Sequence, residues 1–460
     1  MIPVSAADKQ RLGEDFEKIL AVLETTDSVD PFLEVSLQEF LRRQRAVIDS
    51  LPRATVDVGV AFSDEHYCGD VPYLCGNTNI SIEQVACAIG KGGCHLIAGL
   101  EGGYVAEQLA RRAATTVHKV EMLQLADEKY PVQAERLEDV LKTAAGKPAK
   151  TIGLLTPRQV IPAGIVQFLE GLVGRENVLD VQDIYYRIKY EKSDIEMELT
   201  RQSCRIGDAM MRAMLAVLRP GLLETEVTSW AYFVAQQMGA EGWGFAAMCG
   251  ANDANRTLVG KSLNRPIRRG DYVHLGASPK RDGLTSCIRR SVVAVECALD
   301  LTEEQRFWFD LVEGGYKVGL EKYIEVAEKG LPAKLQEQAL VDYFASRSEE
   351  VSRRFGRPIR LELQKPYTGT HNAGYTECQE FFGAITLESE QPLGRQIVTM
   401  LDVALRGVGS KWNDVVIPGF DFVVVEDTLG KFGAKVRVLN DMPTNVQVLV
   451  GNPERPSCRR

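Results

Sequence analysis

The amino-acid sequence predicts an α+β protein built of two domains. Its 460 residues exceed what one hydrophobic core usually supports. Strand and helix patterns alternate over the first 190 residues, which indicates a smaller α/β layer structure. Beyond that point, pairs of helices are followed by strand-rich runs, twice over, which indicates an α+β domain of two similar halves. We therefore expect domains at residues 1–190 and 191–460.

The first domain opens with two helices and continues as a mixture of strands and helices. Apolar residues recur with helical spacing in two runs that Asp30-Pro31 separates. Lys91-Gly92-Gly93 has the composition of a tight turn between two strands. The expected helices are 6–25, 33–49, 102–114, 133–144 and 160–172, and the expected strands are 55–62, 86–90, 94–100, 117–123 and 151–156.

The second domain begins at a charged segment, residues 190–203. Ser193 is followed by Glu196 three residues later, the spacing of a capping box, so a long helix is expected from there. The expected helices are 193–217, 225–239, 302–327 and 333–348, and the expected strands are 243–248, 272–278, 291–296, 360–365, 396–405 and 421–429.

Composition argues against several classes of partner and location. The chain has 54 basic and 63 acidic residues, a net charge of −9, so nucleic acid and anionic membrane surfaces are not expected partners. No stretch approaches the roughly 18 apolar residues of a spanning helix. The opening residues lack the apolar core of a secretory signal, and the ten cysteines form no C-x-x-C pair. We expect a cytoplasmic protein with reduced thiols.

Common nucleotide-binding and hydrolase motifs are absent from the sequence. It has no G-x-G-x-x-G after a strand, no P-loop, no H-E-x-x-H and no G-x-S-x-G. Other motifs occur instead, at segments 219–226, 270–271, 286–290, 370–378 and 422–428. In their order and spacing the chain resembles the creatinase/prolidase/methionine aminopeptidase superfamily. The resemblance implies a pita-bread catalytic domain behind a smaller creatinase-type α/β domain, and a homodimer.

The resemblance also implies where a metal centre would lie. Metal-dependent members hold two divalent ions with two Asp, one His and two Glu, ligands that suit such ions. In this chain the five positions fall, in order, on Gly276, Cys287, His371, Leu401 or Asp402, and Glu426. With both Asp ligands lost, we expect no metal and no other cofactor. A rebuilt site for one ion, with Cys287, His371 and Glu426 as ligands, is the alternative.

Creatinase itself belongs to a metal-free branch, which Pro279 of this chain resembles. However, the acidic positions that hold creatine's guanidinium fall on Arg289 and on Leu401 or Asp402, and the loop after Gly250 lacks that branch's catalytic histidine. An arginine repels a guanidinium and binds a carboxylate through paired hydrogen bonds. We therefore expect a small carboxylate-bearing substrate rather than creatine.

The resemblance assigns ten residues to the site. Imidazole acts as acid or base near neutral pH, so His371 is the expected proton-transfer group. The expected catalytic residues are His371, Glu426, Glu377, Asp402 and Cys378, the last as a nucleophile if the chemistry is covalent. The expected substrate-binding residues are Arg289, Arg290, Cys287, Asn252 and Arg256, the loop of the last two being a candidate lid. His274 is expected to be structural.

Three functional hypotheses follow from these residues. The first is a metal-independent, creatinase-like hydrolase or lyase that cleaves a C–N bond. The second is a metal-dependent hydrolase, similar to Xaa-Pro aminopeptidases or prolidases, with a rebuilt site. The third is a catalytically inactive binding protein on the same scaffold.

Overall fold

The computed structural model describes residues 5–81, 83–124, 131, 133–251, 260–378 and 380–450. It contains two sheets, one on each side of helix α7 in the sequence. Among these residues, no helix has both the length and the apolar character that crossing a membrane requires. The expected α+β architecture is confirmed.

The first sheet has six strands in the order β4-β3-β2-β1-β5-β6. Its central hairpins are antiparallel, whereas β4, β5 and β6 pair in parallel with their neighbours. The strands are β1 (Val58–Ser63), β2 (Val85–Gly90), β3 (Gly93–Ala98), β4 (Thr116–Lys119), β5 (Ile152–Leu154) and β6 (Val178–Asp180). The helices are α1 (Ala6–Glu24), α2 (Leu37–Ser50), α3 (Asp70–Cys75), α4 (Gly102–Ala110), α5 (Leu137–Ala145), α6 (Ala163–Val173) and α7 (Gln182–Tyr190).

The second sheet has eight antiparallel strands, six of them in the order β11-β12-β13-β10-β8-β7. They are β7 (Gly242–Ala251), β8 (Tyr272–Arg281), β9 (Leu284–Thr285), β10 (Ile288–Val293), β11 (Thr370–Asn372), β12 (Gln396–Arg406), β13 (Phe422–Phe432) and β14 (Lys435–Val438). The helices are α8 (Asp194–Val217), α9 (Glu224–Gln237), α10 (Glu303–Lys329), α11 (Lys334–Phe355) and α12 (Val446–Val450). The long helices pack on one face of the sheet, which leaves the other face to the site.

Local sequence signals explain most helix ends. Ser193 and Glu196 form the expected capping box at the start of α8. Thr302 caps α10 in the same way, and Gly330 ends that helix in the left-handed conformation that glycine adopts without strain. Helix α1 departs from its expected place, because its buried Ile19 and Val22 join the core of the second sheet.

Two expected strands are wrong in part or in full. Residues 121–123 form a short 3₁₀ turn after β4 ends at Lys119, and residues 361–363 form another instead of a strand. In the second case the backbone N–H of Leu361 donates to the Ser348 hydroxyl of α11, and the Leu361 side chain is fully buried. Packing against a helix end therefore outweighs the alternating pattern of this segment.

Candidate active site

A row of directly paired residues crosses the open face of the second sheet. Gly276 of β8 lies opposite Arg289 of β10, which lies opposite Glu426 of β13, which lies opposite Asp402 of β12. Side chains at directly opposed positions project from the same face. Asp402 thus belongs to the site, whereas Leu401 is opposite Asp427 and points into the helix-side core.

The guanidinium of Arg289 lies at the centre of this row. Its Nη1 donates to Asp402 Oδ2 at 2.8 Å and to Glu426 Oε2 at 3.2 Å. The same nitrogen contacts the Tyr367 hydroxyl at 3.2 Å, and Nε donates to His274 Nε2 at 3.0 Å. Arg289 is only 5% exposed. It therefore neutralises two buried carboxylates, which would otherwise be costly to bury.

Gly276 provides the space that the Arg289 side chain occupies. A Cβ atom at this position would lie 2.6 Å from Met248 Cε and 3.2 Å from Arg289 Cγ. The position where the resemblance places the first Asp ligand is thus closed to any larger side chain unless its neighbours move.

His371 lies beside two acidic side chains. Its Nε2 is 3.6 Å from Glu377 Oε1 and 3.7 Å from Glu426 Oε1, while Nδ1 lies 3.2 Å from the Asn372 carbonyl oxygen. Burial alone lowers the pKa of this imidazole, but Glu426, Glu377 and Asp402 together raise it to about 9. His371 is therefore a cation at neutral pH, able to donate a proton.

The carboxyl groups around His371 have different environments. Burial raises the pKa of Glu377 above its ordinary value, with Glu426 adding to the effect and His371 opposing it. Burial also raises the pKa of Asp402, to about 7, against the positive charge of Arg289. Burial acts on Glu426 too, but Arg289 and His371 outweigh it and lower the Glu426 pKa. Glu426 Oε1 is buried and has no hydrogen-bond partner among the described residues.

The two cysteines at the site have protonated thiols. Cys287 is fully buried against Met197, Ala373 and Met400, and burial raises its pKa, with Glu426 and Glu377 contributing. Cys378 is an exposed residue, yet partial burial of its thiol and the adjacent Glu377 raise its pKa as well. A nucleophilic cysteine requires a depressed pKa, so this environment disfavours covalent catalysis by Cys378.

Arg290, an expected substrate-binding residue, is not brought to the site. Arg290 is fully buried on the helix side, where it binds Asp427 at 2.8 Å and the carbonyl oxygens of Pro443 and Met442. Strand alternation explains this, since successive residues point to opposite faces. Asn252 and Arg256 lie outside the described residues.

Two residues of the site were not predicted as functional. His274 accepts from Arg289, and burial together with that positive charge keeps its pKa well below the ordinary value, so it is a neutral acceptor. Tyr367 donates to Asp402 Oδ1 at 2.8 Å. His274 was recognisable from its position two residues before Gly276 on one strand, whereas no motif distinguishes Tyr367.

The site opens into a cavity of about 1360 Å³ between the two sheets. Arg289, Glu377 and Cys378 line it from the site, and Trp243 and Phe245 form an apolar wall. The first domain contributes a further wall that consists of Glu65, His66, Cys68, Thr78 and Asn79, among others. A small organic molecule can therefore contact both the acidic cluster and aromatic surface.

The donor atoms of the site do not fit a dinuclear metal centre. Oxygen or nitrogen donors of His371, Asp402 and Glu426 lie within 4.8 Å of one another, as ligands of one ion would. However, Arg289 already donates to both carboxylates, and a divalent ion about 2.0–2.6 Å from the same oxygens would face a like charge. A second group, which consists of Cys287, Glu377 and Glu426, also converges within 4.8 Å. Because Glu426 belongs to this group too, an ion held there would also lie close to the Arg289 guanidinium.

Comparison with known proteins identifies relatives of this domain. Residues 198–381 match the profile of metallopeptidase family M24. An Xaa-Pro dipeptidase of Pyrococcus horikoshii is 23% identical over 239 residues, 51% of this chain and 64% of the relative. An Xaa-Pro dipeptidase of Pyrococcus furiosus is 23% identical over 188 residues, 38% of this chain and 52% of the relative. The chain thus matches less than two thirds of either relative's length.

Solved structures show the same fold over most of the chain. An X-Pro aminopeptidase of Thermotoga maritima superimposes with a TM-score of 0.67 at 16% identity, covering 88% of this chain and 98% of its own. The prolidase of Pyrococcus horikoshii gives a TM-score of 0.67 at 17% identity, covering 88% and 99%. Residues 198–381 thus resemble the M24 metallopeptidases, and the chain shares the two-domain fold of the solved X-Pro aminopeptidase and prolidase structures.

Proposed function

We propose that the protein is a metal-independent hydrolase that cleaves a C–N bond in a small carboxylate-bearing substrate. The observation that carries this proposal is the position of His371, which lies between Glu377 and Glu426. The Arg289 guanidinium already binds the carboxylates of Asp402 and Glu426 beside it. The relatives' names, Xaa-Pro dipeptidase and X-Pro aminopeptidase, support hydrolysis of a C–N bond in general. The homodimer and the cytoplasmic location stay predictions.

Hydrolysis by this arrangement needs one base and one acid. Glu377 lines the cavity, and its raised pKa suits a carboxylate that removes a proton from water as the water oxygen adds to carbon. The protonated His371 then donates its proton to the departing nitrogen, so that the C–N bond breaks with a neutral amine as leaving group. Glu426 faces Nε2 of His371 and orients the imidazole.

Recognition of a substrate carboxylate falls to Lys280 rather than to an arginine. Lys280 lines the cavity from β8, and its Nζ lies 2.7 Å from the Cys68 sulfur. The sulfur of a cysteine is only a weak hydrogen-bond acceptor. Among the described residues, no carboxylate pairs with this ammonium group, so its charge is available to an anionic ligand.

A metal-dependent hydrolase is the second candidate, favoured by one observation. Cys287, Glu377 and Glu426 converge closely enough to hold one ion, and thiolate suits zinc. Burial favours the protonated thiol in the absence of metal, and Arg289 competes for Glu426. A chelator separates the two candidates.

The first prediction concerns metal and the proton donor. We screen N-acyl and N-carbamoyl amino acids, guanidino carboxylates and Xaa-Pro dipeptides for release of amine. Turnover by the proposed mechanism is unchanged by excess chelator and falls about 10²-fold or more in His371→Ala, because the acid is lost. His66→Ala is the control, since His66 is an exposed histidine on the first-domain wall of the cavity. Turnover that requires added metal, or that survives in His371→Ala, contradicts the proposal.

The second prediction concerns pH. Because the pKa of His371 is raised to about 9 by its acidic neighbours, kcat/KM stays high at neutral pH and falls as the pH rises through about 9. Glu377→Gln lowers kcat/KM by about 10²-fold because the general base is lost, and the basic limb of its residual activity moves down by about one unit because one negative charge 3.6 Å from His371 is removed. Glu65→Gln, an exposed carboxylate on the cavity wall, leaves the limb in place. If the basic limb of kcat/KM lies at the same pH in Glu377→Gln as in the wild type, the proton donor is a group other than His371.

The third prediction concerns Lys280. Lys280→Met raises KM about tenfold or more while kcat changes less, because a charge-assisted hydrogen bond to the substrate carboxylate is lost. Lys261→Met is the control, since Lys261 is an exposed lysine on the cavity rim. An equal effect of the two substitutions on KM argues for general attraction of anions rather than a specific contact.

The fourth prediction concerns Arg289. In Arg289→Met the free energy of unfolding falls by about 3–5 kcal/mol at neutral pH, because Asp402 and Glu426 lose their buried counter-ion. Their folded-state pKa values then lie above the unfolded values, so the deficit shrinks on acidification and grows as the pH rises. Urea unfolding at about pH 5.5 and about pH 8 measures this difference. Arg201→Met, which removes a half-exposed pair with Glu198, changes stability by about 0–1 kcal/mol at either pH. A deficit in Arg289→Met that is independent of pH contradicts the assigned pairing.

A further inference from the structure

Three cysteines that are distant in the sequence converge in the core of the first domain. Cys75 is the last residue of α3, Cys87 lies in β2 and Cys94 lies in β3. The Cys94 sulfur is 3.5 Å from that of Cys87 and 3.7 Å from that of Cys75, and all three sulfurs lie within 4.8 Å of one another. Their spacing in the sequence matches no metal-binding motif, so only the fold brings them together.

The distances between the sulfur atoms differ from those of a disulfide. A disulfide bond is about 2.05 Å long, much shorter than either separation. Sulfur ligands about 2.3 Å from a zinc ion stand ~3.8 Å apart at a tetrahedral angle. The observed 3.5 and 3.7 Å are therefore close to the spacing of thiolates around one soft ion.

The surroundings of the three sulfurs suit a soft ion rather than a hard one. Cys75 and Cys87 are fully buried among apolar side chains, and Cys94 is 7% exposed, which gives a route from solvent. No carboxylate or imidazole joins the cluster among the described residues. Thiolate ligands without oxygen donors favour Zn²⁺ or Cu⁺ over Mg²⁺ or Ca²⁺.

The Cys94 sulfur lies between the other two, 3.5 Å from that of Cys87 and 3.7 Å from that of Cys75. A metal needs deprotonated sulfur, so the thiols release their protons to solvent when the ion binds.

We propose that Cys75, Cys87 and Cys94 form a structural site for one soft, thiophilic ion, Zn²⁺ or Cu⁺. The ion links the C-terminal end of α3 to the β2–β3 hairpin. Asp70, at the start of α3, forms a salt bridge with Lys189. Lys189 forms a second salt bridge with Glu380, three residues after Glu377. The site thus stabilises the element on which the first domain contacts the active site, and it is independent of the proposed hydrolytic chemistry.

Cobalt is the probe for this proposal, because thiolate-bound Co²⁺ gives a near-ultraviolet charge-transfer band. The reduced full-length protein is expected to bind one equivalent of Co²⁺ with this band, and Zn²⁺ or Cu⁺ displaces it. Cys94→Ser and Cys75→Ser each remove the band, whereas Cys287→Ala, a matched buried thiol at the other site, retains it. No band, or a band lost only in Cys287→Ala, overturns the proposal, and the latter result supports the metal-dependent hydrolase instead.

A second measurement covers the case in which the serine variants fail to fold. Wild-type protein is alkylated under native conditions with and without Zn²⁺, and mass spectrometry locates the modified cysteines. Zn²⁺ is expected to slow the modification of Cys94 relative to that of the exposed Cys378. Equal rates with and without the ion overturn the proposal. The metal content of the purified protein gives the stoichiometry. We expect about one ion per chain before chelator treatment and less than about 0.1 per chain after it.

Discussion

The buried guanidinium of Arg289 is the interaction on which the site depends. Three adjacent strands, β10, β13 and β12, present Arg289, Glu426 and Asp402 to one point, and both carboxylates are buried. Two adjacent buried negative charges are unstable unless a cation lies between them. Divalent ions have this role in the metal-dependent members that the chain resembles, whereas here a side chain of the protein carries the charge. Gly276 complements this arrangement, because a Cβ atom there would lie 2.6 Å from Met248 Cε and 3.2 Å from Arg289 Cγ and both side chains would have to shift.

A second buried charge fixes the segment that follows His371. Lys189, at the end of α7, binds Asp70 at 2.8 Å and Glu380 at 2.9 Å, and all three side chains are almost fully buried. Glu380 in turn accepts from the backbone N–H and hydroxyl of Thr376. Breaking a buried pair costs more than its formation contributes, so this contact fixes one arrangement of the loop. The first domain thereby positions the segment that carries Glu377.

Local patterns in the sequence were enough for the fold, but not for the partners within the site. Helical spacing predicted α8 and α10, the Ser193–Glu196 capping box predicted where α8 begins, and motif order predicted the second sheet. The choice between Leu401 and Asp402 depended on the register of β12 against β13, which periodicity does not specify. The pairing of Arg289 with partners 113 and 137 residues away is likewise a property of the register. Arg290 was misplaced because adjacent arginines in a strand necessarily face opposite sides.

The energetic cost of the site argues for a working enzyme rather than an inactive scaffold. Glu377, Asp402 and Glu426 are buried, and buried carboxylates carry a desolvation cost even when they are paired, as Glu426 Oε1 is with His371 Nε2 at 3.7 Å. Once an ancestral site has no function, substitutions that remove this cost are free to accumulate. Yet the chain has two glutamates, an aspartate and a histidine with perturbed pKa values in one cluster, and Glu377 of this cluster lines the cavity. Strongly perturbed ionisable groups in a cleft are typical of catalytic sites. A binding protein would need the cavity, but not the costly placement of a proton donor between two carboxylates.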